Sequence, residues 1–504
     1  MSFAQRLASL GPDRLAGMRR GVEKESLRIS PDGRLALTPH PQALGSALTH
    51  PRITTDFSES QLEFVTGVHP DAQACLAELT RIHQFVYRSI GEELLWVGSM
   101  PCRLPADETI PIGRYGTSNI GRAKSVYRMG LGLRYGRRMQ TISGIHYNWS
   151  MPGLSNEQYF GLIRNFRRHS FLLLLLFGAS PAVCASFVEG RDHGLQPLNA
   201  TTYHLPHATS LRMGRLGYQS DAQAALAVSY NSLEDYAASL EGALTRPHPP
   251  YERLGVRNLG GEYHQLATSL LQIENEFYGT IRPKRVIHRA ERPLHALRQR
   301  GVEYIEVRCM DLDPFEPVGI AADTMRFLDV FLLHCLLADS PPDSPSEIAR
   351  LAHNQHLVAA RGRDPELTIE GSCSRVAVAD WAREVMLDCR PMAEALDAGS
   401  GADDHVRVLE SMLQRLQQPA TLPSARVLEA MKRDSDGVFT AFVRDRSAAT
   451  RAELLGLDLP RSELEAFQAL ASQSADEQFR LEVADALSFE VWRRSYLAPE
   501  TLQV

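Results

Sequence analysis

The sequence predicts a mixed fold of strands and helices, followed toward the carboxyl end by a part that is helical alone. Up to about residue 314, segments in which apolar and polar residues alternate are interleaved with amphipathic segments and punctuated by glycine and proline. Beyond about residue 318 the alternating segments fade, and the apolar spacing becomes that of helices. The 504 residues suffice for one large domain or for about two to four smaller ones.

Each predicted element depends on the period of its apolar residues. The predicted strands alternate with period two and span residues 21–29, 53–57, 61–66, 139–150 and 303–311. The predicted helices have apolar residues three or four positions apart and span residues 71–95, 156–177, 321–337, 345–360, 376–396, 406–416 and 461–486. Residues 340–345 and 398–404 are predicted loops between helices.

Composition argues against several classes of protein. With 54 Lys and Arg against 60 Asp and Glu, the chain lacks the concentrated positive charge of proteins that bind nucleic acid or a membrane surface. The seven cysteines include no CxxC pair, which favours a reducing compartment and hence a cytoplasmic protein. The most apolar run, residues 171–177, is far shorter than the roughly twenty residues that a membrane-spanning helix needs. No obligate protein partner is evident.

The segment RGVEKESLRIS, residues 20–30, places two carboxylates side by side on a predicted strand. Because side chains alternate along a strand, Glu23 and Glu25 share one face about 6.6 Å apart. At an effective dielectric near 20, two like charges at that distance repel by about 2.5 kcal/mol. Divalent cations would cancel this repulsion.

Three further predicted strands carry ionisable groups on one face and apolar residues on the other. Glu63 lies on 61–66, His146 on 139–150, and Glu306 with Arg308 on 303–311. An antiparallel sheet with one solvated face would give the same alternation. A solvated face usually carries Lys, Thr, Ser and Gln as well, whereas here carboxylates recur beside aromatic residues. We therefore favour convergence of these strands on one site.

The acidic groups indicate a metal site rich in oxygen ligands. Four glutamates and one histidine favour Mg²⁺, or Mn²⁺, over zinc, which prefers cysteine and several histidines. Arg308 would lie beside such a metal, which suits phosphoryl transfer because the guanidinium stabilises charge on the transferred group. A simple salt bridge between Glu306 and Arg308 is the alternative. The sequence contains no GxxxxGK[ST] loop, so ATP would bind through metals and side chains.

Further polar clusters fall between the predicted strands. Arginine can hold a carboxylate through two parallel hydrogen bonds, so these clusters are candidate anchors for amino-acid substrates, although each could also be a surface feature. They contain Tyr127, Arg128, Arg212, Tyr218, Tyr278, Arg282, Lys284 and Arg285.

Taken together, these segments resemble the proteobacterial glutamate–cysteine ligase family. The resemblance lies in RGVEKESLR, ALGSALTHPRITTDFSESQLEFVT, RYGTSNIGR, MQTISGIHYNWS, LPHATSLRMGRLGY, LQIENEFYGTIRPKR and GVEYIEVRCMDLDPF. It extends in the family's order from about residue 15 to residue 340, and the helical remainder agrees more loosely.

The resemblance implies an α+β fold like that of glutamine synthetase, in which a curved, mostly antiparallel sheet forms a funnel with helices packed outside. It implies one domain over residues 1–504, with a catalytic core over 1–340 and a helical part over 341–504. In the implied reaction, ATP phosphorylates the side-chain carboxylate of L-glutamate, and the amino group of L-cysteine displaces phosphate to give γ-glutamylcysteine. This is the first step of glutathione biosynthesis.

The resemblance also implies a role for individual residues. Glu306 and Arg308 match catalytic positions, with Arg308 at the transferred phosphate. The metal-site positions are Glu23, Glu25, Glu63, His146 and Glu306, with Asp56 close to them. The positions around the amino-acid pockets are Tyr127, Arg128, Arg212, Tyr218 and Tyr278, with Phe57, Leu131 and Gln140 near the cysteine side chain. Lys284 and Arg285 fall near the nucleotide.

Two other functions remain open from the sequence. One is a ligase of the same superfamily that joins glutamate to another amine. Tyr127, Tyr218 and Tyr278 argue against this alternative, because they favour cysteine as the acceptor. The other is a catalytically inactive regulator that binds metal or nucleotide. The intact acidic residues and Arg308 argue against that second possibility.

Overall fold

The structure is a computed structural model that describes residues 3–217, 221–224 and 226–503. None of the helices in these ranges combines the length and the apolar character that a bilayer crossing requires. The strands are β1 Arg19–Ile29, β2 Ile53–Thr55, β3 Gln61–Val65, β4 Leu94–Leu95, β5 Ile145–Ser150, β6 Ala182–Cys184, β7 Gln196–Asn199, β8 Thr202–His204, β9 Ile281–Lys284, β10 Tyr304–Met310, β11 Thr368–Glu370 and β12 Arg375–Ala377.

Seven of these strands form the main sheet, and every neighbouring pair in it is antiparallel. The order is β2-β3-β1-β5-β10-β9, and β4 pairs with the carboxyl end of β1. Two small sheets, β6-β8-β7 and β11-β12, lie apart from it. The long β1 therefore lies between β3 and β5, and residues distant in sequence become direct neighbours across the sheet.

Helices surround the main sheet and make up most of the chain after β10. They are α1 Phe3–Ala16, α2 Ala72–Ser89, α3 Asn119–Tyr135, α4 Asn156–His169, α5 Phe171–Phe177, α6 Ala185–Val188, α7 Asp221–Ala224, α8 Leu233–Thr245, α9 Pro249–Leu254, α10 Pro293–Arg300, α11 Ala322–Leu337, α12 Pro345–Arg361, α13 Val378–Asp388, α14 Arg390–Ser400, α15 Asp404–Gln417, α16 Pro423–Ser435, α17 Phe439–Gly456, α18 Arg461–Ala484 and α19 Phe489–Leu497.

One face of the main sheet packs into the largest hydrophobic core. Val22, Phe64, Tyr147 and Val307 point into it, together with residues of α2, α4, α5 and α11, and each of these four side chains is essentially inaccessible to solvent. The alternation seen in the sequence is thus a division between a core face and a polar face.

The core face of β1 also carries a buried charged residue, Lys24. Lys24 is 1% exposed, and its Nζ lies 2.7 Å from His83 Nε2 on α2. Because His83 Nδ1 also lies 2.7 Å from the carbonyl oxygen of Leu79, the Nδ1–H donates there and Nε2 accepts from the amine. Burial lowers the pKa of Lys24 to about 7, so this amine loses its proton far more easily than an exposed lysine.

The predicted strands at 21–29, 53–57, 61–66 and 303–311 are confirmed, with small differences at their ends. The segment predicted as a strand at 139–150 instead begins with a 3₁₀ turn at Met139–Thr141, and the strand starts at Ile145. The helix predicted at 71–95 was too long. It ends at Ser89, because Gly91 adopts a left-handed φ of 61°, and residues 94–95 form β4.

Other helix predictions required division. Residues 156–177 form α4 and α5, which meet at Ser170, and residues 376–396 contain the end of β12 followed by α13 and the start of α14. The predicted loop at 398–404 begins inside α14. No helix was predicted over the residues of α3, which lines the candidate active site.

Candidate active site

The polar face of the main sheet brings together the ionisable residues singled out in the sequence. Antiparallel pairing makes residues on neighbouring strands face one another, and the alternation along each strand puts these side chains on the same side. The facing pairs are Glu25 with Glu63, Glu23 with His146, Asn148 with Glu306, and Glu306 with Arg282.

At the centre of this face, Glu23, His146 and Glu306 form a cluster suited to a metal ion. One ligand atom from each residue lies within 4.8 Å of the others. His146 Nδ1 is 3.2 Å from Glu23 Oε2 and 3.8 Å from Glu306 Oε1. Asn148 Nδ2 donates to the other oxygen of Glu23 at 2.9 Å, which fixes the orientation of that carboxylate.

The second part of the acidic face is formed by Glu25, Glu63 and Asp56. Glu25 accepts a hydrogen bond from the backbone N–H of Gly144 at 2.8 Å, and its other oxygen is 3.7 Å from His146 Nε2. Burial, followed by the charge of Asp56, raises the pKa of Glu63 to about 8 and holds the pKa of Glu25 well above its usual range. Without a bound cation, these carboxylates therefore repel one another.

Glu306 has the opposite electrostatic environment. Its oxygens lie 3.1 Å from Arg308 Nη1, 3.3 Å from Lys284 Nζ and 4.0 Å from Arg282 Nη1. Burial by itself would raise the pKa of Glu306, but Lys284 and Arg308 hold it well below the usual range. The salt bridge left open by the sequence does exist, and it is one contact in a cluster of three cations around one carboxylate.

A cavity of about 340 Å³, termed the main cavity because of its position above the acidic groups, lies over this polar face. One of its walls is a face of α3, and its lining includes Arg308 and all six residues assigned to the metal site. The other predicted residues that line it are Phe57, Tyr127, Arg128, Leu131, Gln140, Tyr278 and Lys284. Gln140 Nε2 donates to Tyr278 Oη at 2.7 Å, so the two are joined in the cavity wall.

Two predicted site residues lie elsewhere, and a third falls outside the described residues. Arg285 lines an adjoining cavity of about 310 Å³, to which Lys284 also contributes. Arg212 does not line the main cavity: it is 2% exposed, and its guanidinium donates to the backbone oxygen of Arg308 at 2.8 Å. Tyr218 lies outside the described residues.

Sequence reasoning missed several residues of the cavity wall. Lys124 lies on α3 one turn before Tyr127 and Arg128, so the helical period would have found it had α3 been predicted. Tyr496 comes from α19, almost at the end of the chain, and no local pattern in the sequence relates it to the site. The last helix thus contributes directly to a cavity built mainly by the first part of the chain.

A polar sheet face that gathers carboxylates, an imidazole and several cations inside a cavity is typical of an enzyme active site. Comparison with known proteins identifies the family of enzymes to which the chain belongs. The family model described as glutamate-cysteine ligase matches residues 7–358. The chain belongs to the glutamate–cysteine ligase family.

Individual relatives agree over nearly the whole chain. The chain is 45% identical to a glutamate–cysteine ligase of Alcanivorax borkumensis, covering 96% of both, and 46% identical to one of Azotobacter vinelandii, covering 98% of both. A crystal structure of the Francisella tularensis glutamate–cysteine ligase in complex with AMP matches with a TM-score of 0.91 and 34% identity, covering 95% of this chain and 97% of that one. A bifunctional glutathione synthetase from Pasteurella multocida matches with a TM-score of 0.72 and 25% identity, covering 93% of this chain and 58% of that one.

Proposed function

We propose that the main cavity performs the family's ligation in two steps. ATP first transfers its terminal phosphoryl group to the side-chain carboxylate of L-glutamate, which forms an acyl phosphate and ADP. The amino group of L-cysteine then attacks the acyl carbon, the bond to the phosphate oxygen breaks, and γ-glutamylcysteine and phosphate are released. The chain is an ATP-dependent glutamate–cysteine ligase by family membership, and this reaction is the first step of glutathione biosynthesis.

The observation that carries this mechanism is the position of Arg308 beside the acidic cluster. A carboxylate that attacks a phosphoryl group brings two anions together, so the site must supply positive charge where negative charge develops. Arg308, Lys284 and Arg282 surround Glu306 within 4.0 Å and line the same cavity. Arg308 would stabilise the transferred phosphoryl group, and Lys284 would hold the nucleotide phosphates at the junction with the second cavity.

The donor set fits divalent cations. Carboxylate oxygens of Glu23, Glu25, Glu63 and Glu306, with one imidazole, are ligands that Mg²⁺ and Mn²⁺ accept, and Asp56 is close to them. When bound, such ions would neutralise the phosphates and offset the mutual repulsion of Glu25 and Glu63. Asn148 orients Glu23 for this role, and Gly144 does the same for Glu25.

The remaining assignments of the sequence analysis are proposals of the same kind. Phe57, Leu131 and Gln140 would surround the cysteine side chain, and Tyr127, Arg128 and Tyr278 would bind the amino acids. Arg212 would act from beneath Arg308, through the backbone oxygen to which it donates. The adjoining cavity, which Arg285 lines, is a place for the nucleoside. Tyr218 lies outside the described residues, and the resemblance alone supports a role for it in binding the amino acids.

Fold, organisation and location are proposed on related grounds. The antiparallel main sheet, with its polar face lining the cavity, supports a glutamine synthetase-like funnel. The contribution of Tyr496 supports a single domain in which the helical part, 341–504, completes the core, 1–340. All seven cysteines are free thiols, six of them buried, which supports a cytoplasmic protein.

The direct test is an assay of phosphate release with ATP, L-glutamate and Mg²⁺ across a panel of amines. We expect L-cysteine to give the highest rate and γ-glutamylcysteine to be the product, and we expect a chelator to abolish turnover. A highest rate with a diamine would show that the protein ligates glutamate to another acceptor. An absence of turnover with every amine would support the inactive regulator.

Removing the hydroxyl of Tyr278 should raise the KM for cysteine. In Tyr278→Phe the buried amide of Gln140 loses the oxygen to which it donates, at a cost of about 1 kcal/mol or more. We expect the KM for cysteine to rise about five- to tenfold, with a smaller change in the KM for ATP. Tyr135→Phe is the matched control, since Tyr135 contacts the Tyr278 ring but does not line the main cavity. Equal effects of the two substitutions would remove Tyr278 from the cysteine pocket.

Binding of Mg²⁺ should release protons. Because the pKa of Glu63 is raised to about 8, this carboxyl group holds a proton near neutral pH, and a metal must displace that proton. We expect the affinity for Mg²⁺ to increase with pH and calorimetry in buffers of different ionisation enthalpy to detect the released protons. Glu63→Gln should reduce the proton release and weaken binding tenfold or more, whereas the exposed Glu384→Gln should change neither. Proton-independent binding would contradict the assignment of Glu63 to the metal site.

A further inference from the structure

One face of α3 forms a continuous wall of the main cavity. Residues three and four positions apart lie on the same side of a helix, and six of them on α3 reach the cavity. They are Ile120, Ala123, Lys124, Tyr127, Arg128 and Leu131. The last three already have proposed roles in substrate binding, whereas Lys124 has none.

Lys124 differs from the other cations that line the cavity. Arg282, Lys284 and Arg308 all lie within 4.0 Å of Glu306. Arg128 donates to the backbone oxygens of Asp56 and of Lys124 itself. In the part of the chain that the structure describes, the ammonium of Lys124 makes no hydrogen bond and no ion pair.

An aromatic ring lies beside the ammonium of Lys124. Lys124 Nζ lies 5.2 Å from the centre of the Tyr115 ring, a distance at which a cation is attracted to the ring face. Tyr115 is itself fixed, because it is 1% exposed and its hydroxyl donates to the backbone oxygens of Thr55 and Asp56. The ammonium is therefore held at a defined place in the wall while its hydrogen-bonding capacity is left for a ligand.

The environment of Lys124 favours the binding of an anion. Burial, and then the neighbouring charge of Arg128, lower the pKa of Lys124 to about 8, although Glu63 and Asp56 act in the opposite direction. A bound carboxylate would offset this loss of solvation and restore the ordinary stability of the charged form. Phosphate is a poorer candidate, because the cations around Glu306 already form the positively charged place for phosphoryl groups.

We propose that the Lys124 ammonium binds the α-carboxylate of an amino-acid substrate in the main cavity. The proposal rests on the proposed function, in which both amino acids enter this cavity and each carries an α-carboxylate that takes no part in the reaction. Lys124 lies one helical turn from Tyr127 and Arg128, so an amino acid against that face of α3 would meet all three side chains. Its role is to bind and position, and no proton transfer is assigned to it.

The test compares Lys124→Met and Lys124→Arg with the wild-type enzyme. Lys124→Met keeps the length of the side chain and removes the charge, and Lys432→Met is a matched control on an exposed position of α16. We expect Lys124→Met to raise the KM for glutamate or for cysteine tenfold or more, with the KM for ATP changed less than twofold. Lys124→Arg should recover part of the loss. A fall in kcat without a change in either amino-acid KM would overturn the proposal.

Substrate analogues identify which carboxylate is bound. L-isoglutamine and L-cysteinamide carry a neutral amide in place of the α-carboxylate of glutamate and cysteine. We expect one of them to be a markedly poorer substrate than its parent with the wild-type enzyme, and to lose that disadvantage in Lys124→Met. An amide penalty of the same size in both enzymes, for both analogues, would exclude contact between Lys124 and an α-carboxylate.

Calorimetric binding of the amino acids separates this proposal from the proposed function. A wild-type protein that binds glutamate or cysteine but forms no γ-glutamylcysteine would refute the function, and a tenfold loss of binding in Lys124→Met would still support the role of Lys124. Unchanged binding in that variant would overturn the role of Lys124 while leaving the function intact. A wild-type protein that binds neither amino acid would overturn both.

Discussion

Replacing Arg308 with alanine should reduce turnover about a thousandfold or more. Arginines that stabilise charge on a transferred phosphoryl group contribute effects of about 10³ to 10⁵. Arg308 is the residue best placed for that role, because its Nη1 is 3.1 Å from Glu306 and 3.4 Å from His146 Nδ1 while its side chain also lines the cavity. The measurement is the steady-state rate of phosphate release with all three substrates at saturation.

The fold should survive this substitution. When Arg308 is removed, Glu306 retains Lys284 at 3.3 Å and Arg282 at 4.0 Å, so the buried carboxylate remains compensated. We expect a thermal unfolding midpoint close to that of the wild-type protein. Arg375→Ala, which removes an exposed arginine from the small sheet β11-β12, serves as the control for surface effects. Turnover within a few-fold of wild type would remove Arg308 from the phosphoryl-transfer step.

The sequence predicted the acidic face of the sheet because that face depends on a short-range rule. Once β1, β3, β5 and β10 are recognised as strands, alternation determines which residues share a side with Glu23 and Glu25. The order of the strands does not follow from this rule, so the sequence could group His146 with Glu306 only by expecting convergence. The registers that place Glu23 opposite His146 and Glu306 opposite Asn148 come from tertiary pairing.

The wall formed by α3 was missed for a physical reason. One face of this helix serves the cavity and is partly polar, so the segment lacks the apolar period that identifies an ordinary surface helix. Its glycines also lower the intrinsic helix propensity. Yet two of them fit where a side chain would not, since a Cβ at Gly121 would lie 2.2 Å from the backbone oxygen of Tyr115, and one at Gly130 would lie 2.3 Å from Gln272 Oε1. The glycines allow close approach to neighbouring chain segments, and the same glycines make the helix difficult to predict from the sequence.

Long-range contributions to the site leave even less trace in the sequence. Tyr496 reaches the cavity because α19 is tied to the earlier part of the chain: Arg292 donates to the Tyr496 carbonyl oxygen at 3.1 Å and forms an ion pair with Glu274 at 2.7 Å. Glu274 lines both cavities. The contact between Arg292 and Tyr496 joins residues 204 positions apart, so only a three-dimensional arrangement could have assigned α19 to the site.

Replacing Glu306 with glutamine should destabilise the protein as well as abolish its activity. Glu306 is 1% exposed and provides the carboxylate shared by Arg308, Lys284 and Arg282. Glutamine has the same shape but no charge, so three buried or half-buried cations would lose their counter-charge. Breaking such a buried arrangement costs about 3–5 kcal/mol. Denaturant unfolding in a chelator would measure the loss without any contribution from metal.

Glu63→Gln is the matched comparison, and its effect on the metal-free protein should have the opposite sign. The folded-state pKa of Glu63, raised to about 8, lies above the value of about 4.5 for an unperturbed glutamate. Between these values the folded protein holds a proton that the unfolded chain has lost, so stability falls as pH rises, by at most about 1.4 kcal/mol per pH unit. Glutamine removes this term, so Glu63→Gln should be more stable than wild type at pH 8.

The contribution of Glu306 to stability depends on pH in the opposite sense, so a pH profile of stability distinguishes the two variants. Because its folded-state pKa is well below the usual range, its carboxylate contributes stability above the unfolded pKa, and that contribution is lost as pH falls through the folded pKa. The difference between wild type and Glu306→Gln should therefore be full at pH 7 to 8 and should shrink in acid. Glu63→Gln should differ from wild type most at pH 8 and approach it near pH 5. Parallel pH profiles for the two variants would show that the surroundings of Glu63 and of Glu306 are not electrostatically opposite. The proposed difference between the carboxylates that repel one another around Glu63 and the cation-rich surroundings of Glu306 would then be wrong.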